Sequence, residues 1–600
     1  MTLRSNLLLA AALVAVAGQA SATTATFPNN GGTTTTDAVF GGGSSLVAPY
    51  FRQSADCWGD KIDLASRGSS TTTSSPDFNY TGLPPFNCST QEYAPGSAVS
   101  YISTGSGRGL LGYFAHTPFY VDPIGMTGDD WLGNGTGGTT NAPSVYATKV
   151  DYAASDAGIP QTDPNGAGDI DSYNGTTAGS PAGHFVTNSK VTIAIRGSDG
   201  SAPAGYTSGP IYDAPRVDYG SAIQIPLLVA VVDVAFAPVY KKVASAQGVV
   251  ASTSFRNGKS GGVKLSNTQL CNIFTGADTN LGQDGLATTF GAATADLPNA
   301  ANIPVEIVGR NDSSGTTSIF YRHVEKLCGG AYTTSDGSAP LLLPTALQGP
   351  TYDGLDNRDV TPQAGKFTLA NGSGGVAKYL AYTHVPTAGT TDYQFRIGYI
   401  GNDFVLPAVL INGNNGFNLV SAALLNSKSN TFVAASPAAG LKGVTTLPPQ
   451  TTSAGVYSPL PNLGSRANAA ALTTTYTWVS ASNIASPLAD PQVTAAYPLV
   501  GTTNGLFYQC YASSDNAAIL KSFLGWYFTQ KPSTDPAKSI LALNGLSPVS
   551  PAYQKAINET FVTNPTYLHV GTPTGPAGKL NLDINSVGTN PECTGVSTGA

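Results

Sequence analysis

The sequence predicts an α/β fold, because apolar strand-like runs alternate with helical stretches along the chain. The strand-like runs are residues 38–40, 99–102, 223–236 and 305–308. The helical stretches are residues 46–58, 267–274, 318–327 and 517–529. This alternation favours mostly parallel sheets, and a chain of 600 residues is long enough for two or more domains with cores of their own.

The first 22 residues predict a secretory signal peptide. Arg4 precedes an apolar run at 7–17, and the small residues Ala20, Ser21 and Ala22 follow as a cleavage site. The run is too short for a permanent membrane anchor, and no cysteine follows the cleavage site to carry a lipid. We therefore expect an exported protein, periplasmic or extracellular, that is not lipid-anchored.

Charge is sparse along this chain. Charged residues make up 11%, against about 25% in average soluble domains. The net charge is −7, and Lys and Arg form no cluster anywhere in the sequence. Nucleic-acid binding and recruitment to anionic membranes are therefore not expected.

Six cysteines in an exported chain suggest disulfide bonds, although sequence alone leaves several connectivities open. Sequence order favours the pairs Cys57–Cys88, Cys271–Cys328 and Cys510–Cys593. The chain contains no CxxC motif. Thiol redox chemistry and a cysteine zinc site are therefore not expected.

Five stretches interrupt the alternation of strands and helices. Residues 23–36 form a Thr/Asn/Gly-rich segment that we predict to be a disordered leader. Residues of about 117–149 and 160–215 are long and rich in Gly, Pro, Ser and Asp, so they resemble surface insertions. Residues 430–495 are also irregular, and 570–600 form a Gly/Pro-rich tail.

The segment 305–328 combines a short apolar strand, a turn of small residues and an amphipathic helix. A helix N-terminus presents unpaired N–H groups and a partial positive charge, so this turn suits an anion. Within it, Arg310 supplies a guanidinium group, and Asp312 is placed to hold that group. The alternative is an ordinary capped strand-turn-helix with a surface salt bridge.

Three other strand ends have similar chemistry. GGGSSL at 41–46 opens a helix, YISTGSGRG at 101–109 lies between a strand and a helix, and VDYAASDA at 150–157 ends in Asp156. One such turn is weak evidence, because Gly and Ser are common wherever a strand leads into a helix. Together with the turn that contains Arg310, they predict a shared anion site.

In this order, GGGSSLVAP, YISTGSGRG, VDYAASDA and VGRNDSSGTTSIF resemble the phosphate-binding proteins of bacterial ABC phosphate importers and the related secreted DING-type proteins. The resemblance implies a type II periplasmic-binding-protein fold, with a ligand cleft between two lobes. It implies lobe 1 at 37–229, lobe 2 at 230–500 and a return to lobe 1 at 501–569. It fails over the two insertions, the leader and the tail.

The resemblance also implies the ligand and its partners. We expect a monomer that binds inorganic phosphate without a cofactor or metal and that delivers it to an ABC importer permease or scavenges it outside the cell. The implied phosphate-binding residues are Ser45, Leu46, Ser106, Asp156, Arg310, Ser314, Gly315 and Thr316. Leu46 stands where the family usually has an aromatic residue, and its role is that of a backbone donor. Arg108 replaces a small residue of the family, and we expect its side chain to point to solvent.

A carboxylate should repel an anion, so Asp156 needs an explanation. It fits a ligand that carries a proton, because phosphate can donate a hydrogen bond that fully ionised sulfate cannot. The sequence thus predicts that Asp156 discriminates between these two anions.

Two alternatives remain open. One is a secreted phosphatase or phosphodiesterase of the DING type, and the other is a surface or scaffold protein that has lost its ligand. The histidines are scattered and form no metal-binding motif: His116, His184, His323, His384 and His569. One GxSxG match at 258–262 lacks a preceding apolar strand, so we interpret it as a loop, and we assign no catalytic residue.

Overall fold

In the computed structural model, the chain is described at residues 24–29, 32–59, 94–116, 150–157, 191–192, 210–212, 222–244, 248–255, 257–291, 303–310, 314–328, 367–370, 372–381, 395–405, 417–445, 488–508, 510–529, 541, 544–557, 585–586 and 599. The predicted signal peptide, the insertion at 117–149 and nearly all of 160–215 lie outside these residues. Among the described helices, none is long and apolar enough to span a membrane.

The structure confirms the α/β class. The strands are β1 (Thr24–Asn29), β2 (Gly32–Gly43), β3 (Ser97–Ser103), β4 (Tyr152–Ser155), β5 (Val191–Thr192), β6 (Pro210–Tyr212), β7 (Ala222–Phe236), β8 (Val239–Ala244), β9 (Gly248–Ser254), β10 (Lys264–Leu265), β11 (Val305–Arg310), β12 (Phe367–Ala370), β13 (Phe395–Gly401), β14 (Val420–Ser421), β15 (Ala423–Asn426), β16 (Thr431–Val433), β17 (Val500–Tyr508), β18 (Cys510–Tyr511), β19 (Ser547–Pro548) and β20 (Asn585–Ser586). The α-helices are α1 (Ala48–Trp58), α2 (Ser106–Ala115), α3 (Asn267–Phe274), α4 (Leu286–Phe290), α5 (Gly315–Cys328), α6 (Gly372–Ala381), α7 (Pro437–Thr445), α8 (Ser514–Thr529) and α9 (Pro551–Ile557).

The long strand β7 joins two lobes. Nine of its first ten residues pair with β17, up to Val231 opposite Val500, and its last five pair with β13 from Val232 onward. On one side lie β2, β3, β4 and β17, and on the other β11, β12 and β13. The change of partner lies close to the expected boundary between residues 229 and 230, although the lobe boundaries themselves remain predictions.

The sheet is mixed rather than mostly parallel. β2 runs parallel to β3 and β4, and β11 runs parallel to β12 and β13, as the alternating βα units predict. β17 is antiparallel to both β4 and β7, and β13 is antiparallel to β7. These pairings join segments that are distant in sequence, so local alternation contains no information about their direction.

The apolar residues of β7 and α5 are buried, as their sequence patterns predict. The run Leu227–Val232 in β7 is almost fully buried, as expected for a strand covered on both faces. On α5, Phe320 and Val324 are buried and Leu327 packs against the same core, which matches the predicted apolar stripe. Helix α3 begins with a capping box in which the Ser266 side chain accepts from the Gln269 N–H.

The structure contains the predicted disulfide Cys271–Cys328, which joins α3 to the end of α5. Cys510 is also disulfide-bonded. Its expected partner Cys593 lies outside the described residues, as does Cys88. The pairing of those cysteines remains a prediction.

Several segments differ from the sequence-based expectation or fall outside the description. β1 and the start of β2 pair as an antiparallel hairpin where we expect a disordered leader. Consecutive threonines at 33–36 are β-branched and favour extended backbone, which accounts for the difference. Helix α7 lies inside the region 430–495, which the sequence marks as irregular, and the tail 570–600 is described only at β20 and residue 599.

Candidate functional site

Three parallel strands bring their carboxyl ends to one edge of the first lobe. β2 leads into Ser44 and Ser45, β3 leads through a short turn to Ser106 at the start of α2, and β4 leads into Asp156. Since neighbouring parallel strands end at the same edge, residues distant in sequence meet there. All four side chains are buried.

Asp156 is the centre of this edge. The Ser44 hydroxyl lies 2.7 Å from both carboxylate oxygens of Asp156, and Thr503 Oγ1 donates to Oδ1 at 2.6 Å. Ser106 Oγ donates to Oδ2 at 3.3 Å and accepts from the Asp156 N–H at 3.1 Å. Burial raises the pKa of Asp156, while the hydrogen bonds from Thr503 and Ser44 and the charge of Arg310 act in the opposite direction.

Arg310 ends β11 in the second lobe and is only 1% exposed. One terminal nitrogen donates to Ser373 Oγ at 3.1 Å, and the other donates to Ser45 Oγ of the first lobe at 3.0 Å. The two serine hydroxyls are 3.3 Å apart. The guanidinium therefore links the two lobes. Its predicted brace, Asp312, lies outside the described residues.

The N-terminus of α5 faces the same edge. A Cβ atom built on Gly315 would lie 2.6 Å from Asp156 Cβ and 2.8 Å from the Ala157 nitrogen, and it would also meet Ser106 Oγ. Ser314 caps the helix by accepting from the Thr317 N–H at 3.2 Å. Thr316 is buried within the first turn. The positive end of the helix dipole is therefore directed at Asp156 and Ser106.

Leu46 has a local partner in the structure. Its N–H donates to Ser44 Oγ at 3.2 Å, which is the upper limit of ordinary hydrogen-bond distance. A role as an anion donor would therefore require this bond to be exchanged, and it remains a prediction. The side chain of Arg108 is outside the description, so its expected orientation toward solvent also remains a prediction.

A second group of buried acids lies beside the strand that joins the lobes. Asn402 Nδ2 donates to Asp233 Oδ2 at 2.6 Å, and burial raises the pKa of Asp233 to about 7. Burial also raises the pKa of Asp403 well above the ordinary carboxyl value, and the charges of Asp233 and Asp156 add to this effect. The negative charge near the cleft is therefore reduced close to neutral pH.

The structure thus brings together Ser45, Ser106, Asp156, Arg310, Gly315 and Thr316, with Ser314 as the cap of α5. Sequence reasoning missed three contributors: Ser44, Ser373 and Thr503. Ser44 lies next to Ser45 in the GGGSSL motif, so its position was a usable signal. Ser373 lies in a turn of small residues after β12, but nothing in the sequence shows that this turn reaches Arg310. Thr503 lies in an apolar strand with no distinctive motif, and only the fold reveals its role.

The other candidate chemistry is not part of this site. The GxSxG match lies in a turn between β9 and β10, as expected. His323 is buried with its Nδ1 2.7 Å from the Ala489 carbonyl oxygen, and burial lowers its pKa. Within the described residues, no group of three or more His, Cys, Asp or Glu is arranged to hold a metal ion.

No protein family model matches the chain. Alkaline phosphatase L of Pseudomonas aeruginosa strain PAO1 is 26% identical over 402 residues, which cover 65% of this chain and 82% of that protein. A phosphate-binding protein from an unknown prokaryotic organism is 26% identical over 340 residues, covering 54% and 73%.

The chain also aligns with solved structures. A high-affinity periplasmic phosphate-binding protein bound with phosphate matches at a TM-score of 0.46 and 18% identity, covering 94% of this chain and 99% of that one. An ancestral soluble variant of the human phosphate-binding protein matches at a TM-score of 0.47 and 18% identity, with the same coverage. The sequence relatives bear out the resemblance that the loop motifs predict: this chain is a relative of alkaline phosphatase L and of a prokaryotic phosphate-binding protein.

Proposed function

We propose that this protein binds inorganic phosphate in the cleft between its lobes. The observation that carries the proposal is that Arg310 and Asp156 lie in one buried cluster, in which the charge of Arg310 acts on Asp156 and the hydroxyl groups come from both lobes. A relative whose name is phosphate-binding protein supports the same ligand. Closure of the lobes around the anion would complete the site, as in other hinge-type binders.

The residues match the needs of a dehydrated anion. Hydrogen bonds to charged groups contribute about 1.5–3 kcal/mol each, so several are needed to replace the water that phosphate loses. Arg310 supplies a planar fork of donors, and the N-terminus of α5 supplies backbone N–H groups. The hydroxyls of Ser45, Ser106 and Thr316 would add neutral donors without accumulating positive charge.

Asp156 would provide the specificity. As a carboxylate it accepts a hydrogen bond from the hydroxyl of hydrogen phosphate, whereas sulfate at neutral pH has no hydroxyl to donate one. Sulfate would then place a lone pair against a buried acceptor, which is unfavourable. The acceptor form exists above the pKa of Asp156, so selectivity should be present at higher pH and lost as the pH falls through that value.

The biological setting follows from the same proposal. An exported monomer of this kind would deliver phosphate to an ABC importer permease or scavenge it outside the cell. The charged, apolar and small-residue segments of the predicted signal peptide support export.

The direct test is ligand-dependent stabilisation of phosphate-stripped protein. We expect millimolar phosphate to raise the Tm, because a ligand that binds only the folded state stabilises it. The same concentration of sulfate should leave the Tm unchanged. Differential scanning fluorimetry with a titration of each anion measures both effects.

The matched variant is Asp156→Asn, which keeps the shape of the side chain and presents an amide. We expect this variant to lose its preference for phosphate over sulfate, as measured by the ratio of the two Kd values. Unchanged Tm of the stripped wild-type protein in saturating phosphate would refute the proposed function.

Phosphate-ester hydrolysis is the second candidate. The observation in its favour is Ser44, whose hydroxyl lies 2.7 Å from both oxygens of Asp156, as in a nucleophile with its base. A relative named alkaline phosphatase L points the same way. We expect no turnover of p-nitrophenyl phosphate by purified protein, because Asp156, the carboxyl that would act as the base, also accepts hydrogen bonds from Thr503 and Ser106 in the same buried cluster. Turnover that Ser44→Ala abolishes would favour the enzyme.

A further inference from the structure

Asp156 has a partner outside the four loops that the sequence predicts. Thr503 in β17 is completely buried, and its hydroxyl donates to Asp156 Oδ1 at 2.6 Å, the shortest contact that this carboxyl makes with a hydroxyl. The two residues are 347 positions apart in the chain. This contact therefore exists only because β17 returns to the first lobe.

Strand pairing places Thr503 at that position. Asn504 pairs with Ser155 in the antiparallel ladder between β17 and β4, so Thr503 lies beside the residue that follows Ser155. On the other side of β17, the register with β7 shifts between Thr503 and Asn504, where the partner residues change from Leu228 to Pro226. Proline has no N–H for the ladder, and bulges of this kind re-aim side chains.

The two oxygens of Asp156 have different hydroxyl partners. Thr503 contacts Oδ1, at 2.6 Å, whereas Ser44 lies 2.7 Å from both oxygens, and we call these two residues the hydroxyl clamp. Oδ2 has Ser106 at the longer distance of 3.3 Å, on the side where the N-terminus of α5 approaches through Gly315. Ser44 also reaches Oδ2, but its one hydrogen serves one strong bond at a time.

We propose that Thr503 is a specificity-determining positioning residue: through the hydroxyl clamp it holds Asp156 as a carboxylate whose Oδ2 faces the anion. This inference rests on the proposed function. A carboxylate accepts hydrogen bonds at both oxygens, whereas a protonated carboxyl donates one and would accommodate sulfate. By donating to Oδ1, Thr503 stabilises the acceptor form.

The charged surroundings agree with this role. Burial works against ionisation of Asp156, and Thr503 is the largest of the interactions that favour it, ahead of Ser44 and Arg310. The charge of Asp403, in the turn after β13, interacts unfavourably with that of Asp156. Arg310 is therefore the one cation among the described charges acting on Asp156. The hydroxyl clamp stabilises the ionised form of Asp156 in addition to this cation.

The test removes the hydroxyl without changing the shape. Thr503→Val should raise the pH below which phosphate selectivity is lost by about one unit, and should raise sulfate affinity relative to phosphate about tenfold. Thr503→Ser keeps a hydroxyl and should lose phosphate selectivity at the same pH as the wild-type protein. Thr502→Val is the matched control, because Thr502 Oγ1 contacts Asn504 at 3.4 Å and does not contact Asp156. Isothermal titration calorimetry with phosphate and sulfate across pH gives these values.

Two further measurements separate the effect of Thr503 on Asp156 from its effect on phosphate binding. In an Asp156→Asn background, Thr503→Val should produce no additional shift in the pH profile, since the titrating group is absent. Carboxyl ¹³C NMR of Asp156 should show a higher pKa in Thr503→Val, and in Thr503→Ala if the valine variant does not fold. This NMR shift does not depend on phosphate binding.

The inference would be overturned if Thr503→Val still bound phosphate, had the wild-type selectivity, and lost that selectivity at the same pH as the wild-type protein. The proposed function would remain intact in that case. An Asp156 pKa that is the same with and without the Thr503 hydroxyl would also overturn the inference. Failure of the wild-type protein to bind phosphate would instead refute the proposed function, even if the NMR shift shows that Thr503 acts on Asp156.

Discussion

Gly315→Ala should weaken phosphate binding at least about a hundredfold, because it would keep the lobes apart and remove the contacts that one of them makes with the anion. The added Cβ would lie 2.6 Å from Asp156 Cβ and 2.8 Å from the Ala157 nitrogen. Carbon atoms do not approach so closely, and neither of these atoms belongs to the flexible end of a side chain. The helix N-terminus would therefore move away from Asp156.

The lobes themselves should remain folded in this variant, because alanine is a better helix former than glycine. Gly375→Ala in α6 is the matched control, since its Cβ would meet Ala370 at an ordinary distance of 3.5 Å. Calorimetry of both variants with phosphate, together with the Tm of each stripped protein, separates binding from stability. Phosphate affinity of Gly315→Ala within a few-fold of wild type would show that the two lobes do not close as described.

Arg310→Gln should also weaken phosphate binding by about a hundredfold or more, because it removes the cation and at least two charged hydrogen bonds. Loss of the positive charge would raise the pKa of Asp156 as well, since Arg310 lowers it in the native protein. The acceptor form of Asp156 would then persist only at higher pH. Arg310→Lys should rescue part of the affinity, because an ammonium group lacks the planar fork.

Arg396→Gln is the control for this prediction. Arg396 lies on β13, next to β11 in the same lobe, and its Nε donates to Glu306 at 2.7 Å. Its loss should lower the Tm while leaving the phosphate Kd of the folded protein unchanged. If Arg310→Gln and Arg396→Gln had the same phosphate affinity, Arg310 would have no place in the anion site.

The helices and strands near the site were predictable because their signals are local. The apolar run of β7 and the stripe on α5 were both predicted, and their bounds agree to within a few residues. The direction of β17 was not predictable, because it depends on pairing with strands that lie hundreds of residues earlier.

The candidate site was also predictable only where its signals are local. Arg310 and Asp156 could be identified because Arg310 ends a buried strand, Asp156 follows one, and each lies in or beside a stretch of small residues. Ser373 follows β12 in another such turn, but nothing in its sequence shows that this turn reaches Arg310. Sequence also assigned the bracing of Arg310 to Asp312, which lies outside the described residues, so that role stays a prediction. Among the described residues, the guanidinium contacts Ser45 and Ser373.

By itself, the sequence determined the α/β class and the hydroxyl, guanidinium and carboxylate groups that the four loops carry, because these depend on short stretches of chain. Only the tertiary structure decided which groups control that carboxylate. Thr503 reaches Asp156 through a β17 register that shifts opposite Pro226, and Ser45 reaches Arg310 across the cleft. The physical reason is that hydrogen bonds act over about 3 Å, so such control depends on which distant segments the fold brings into contact.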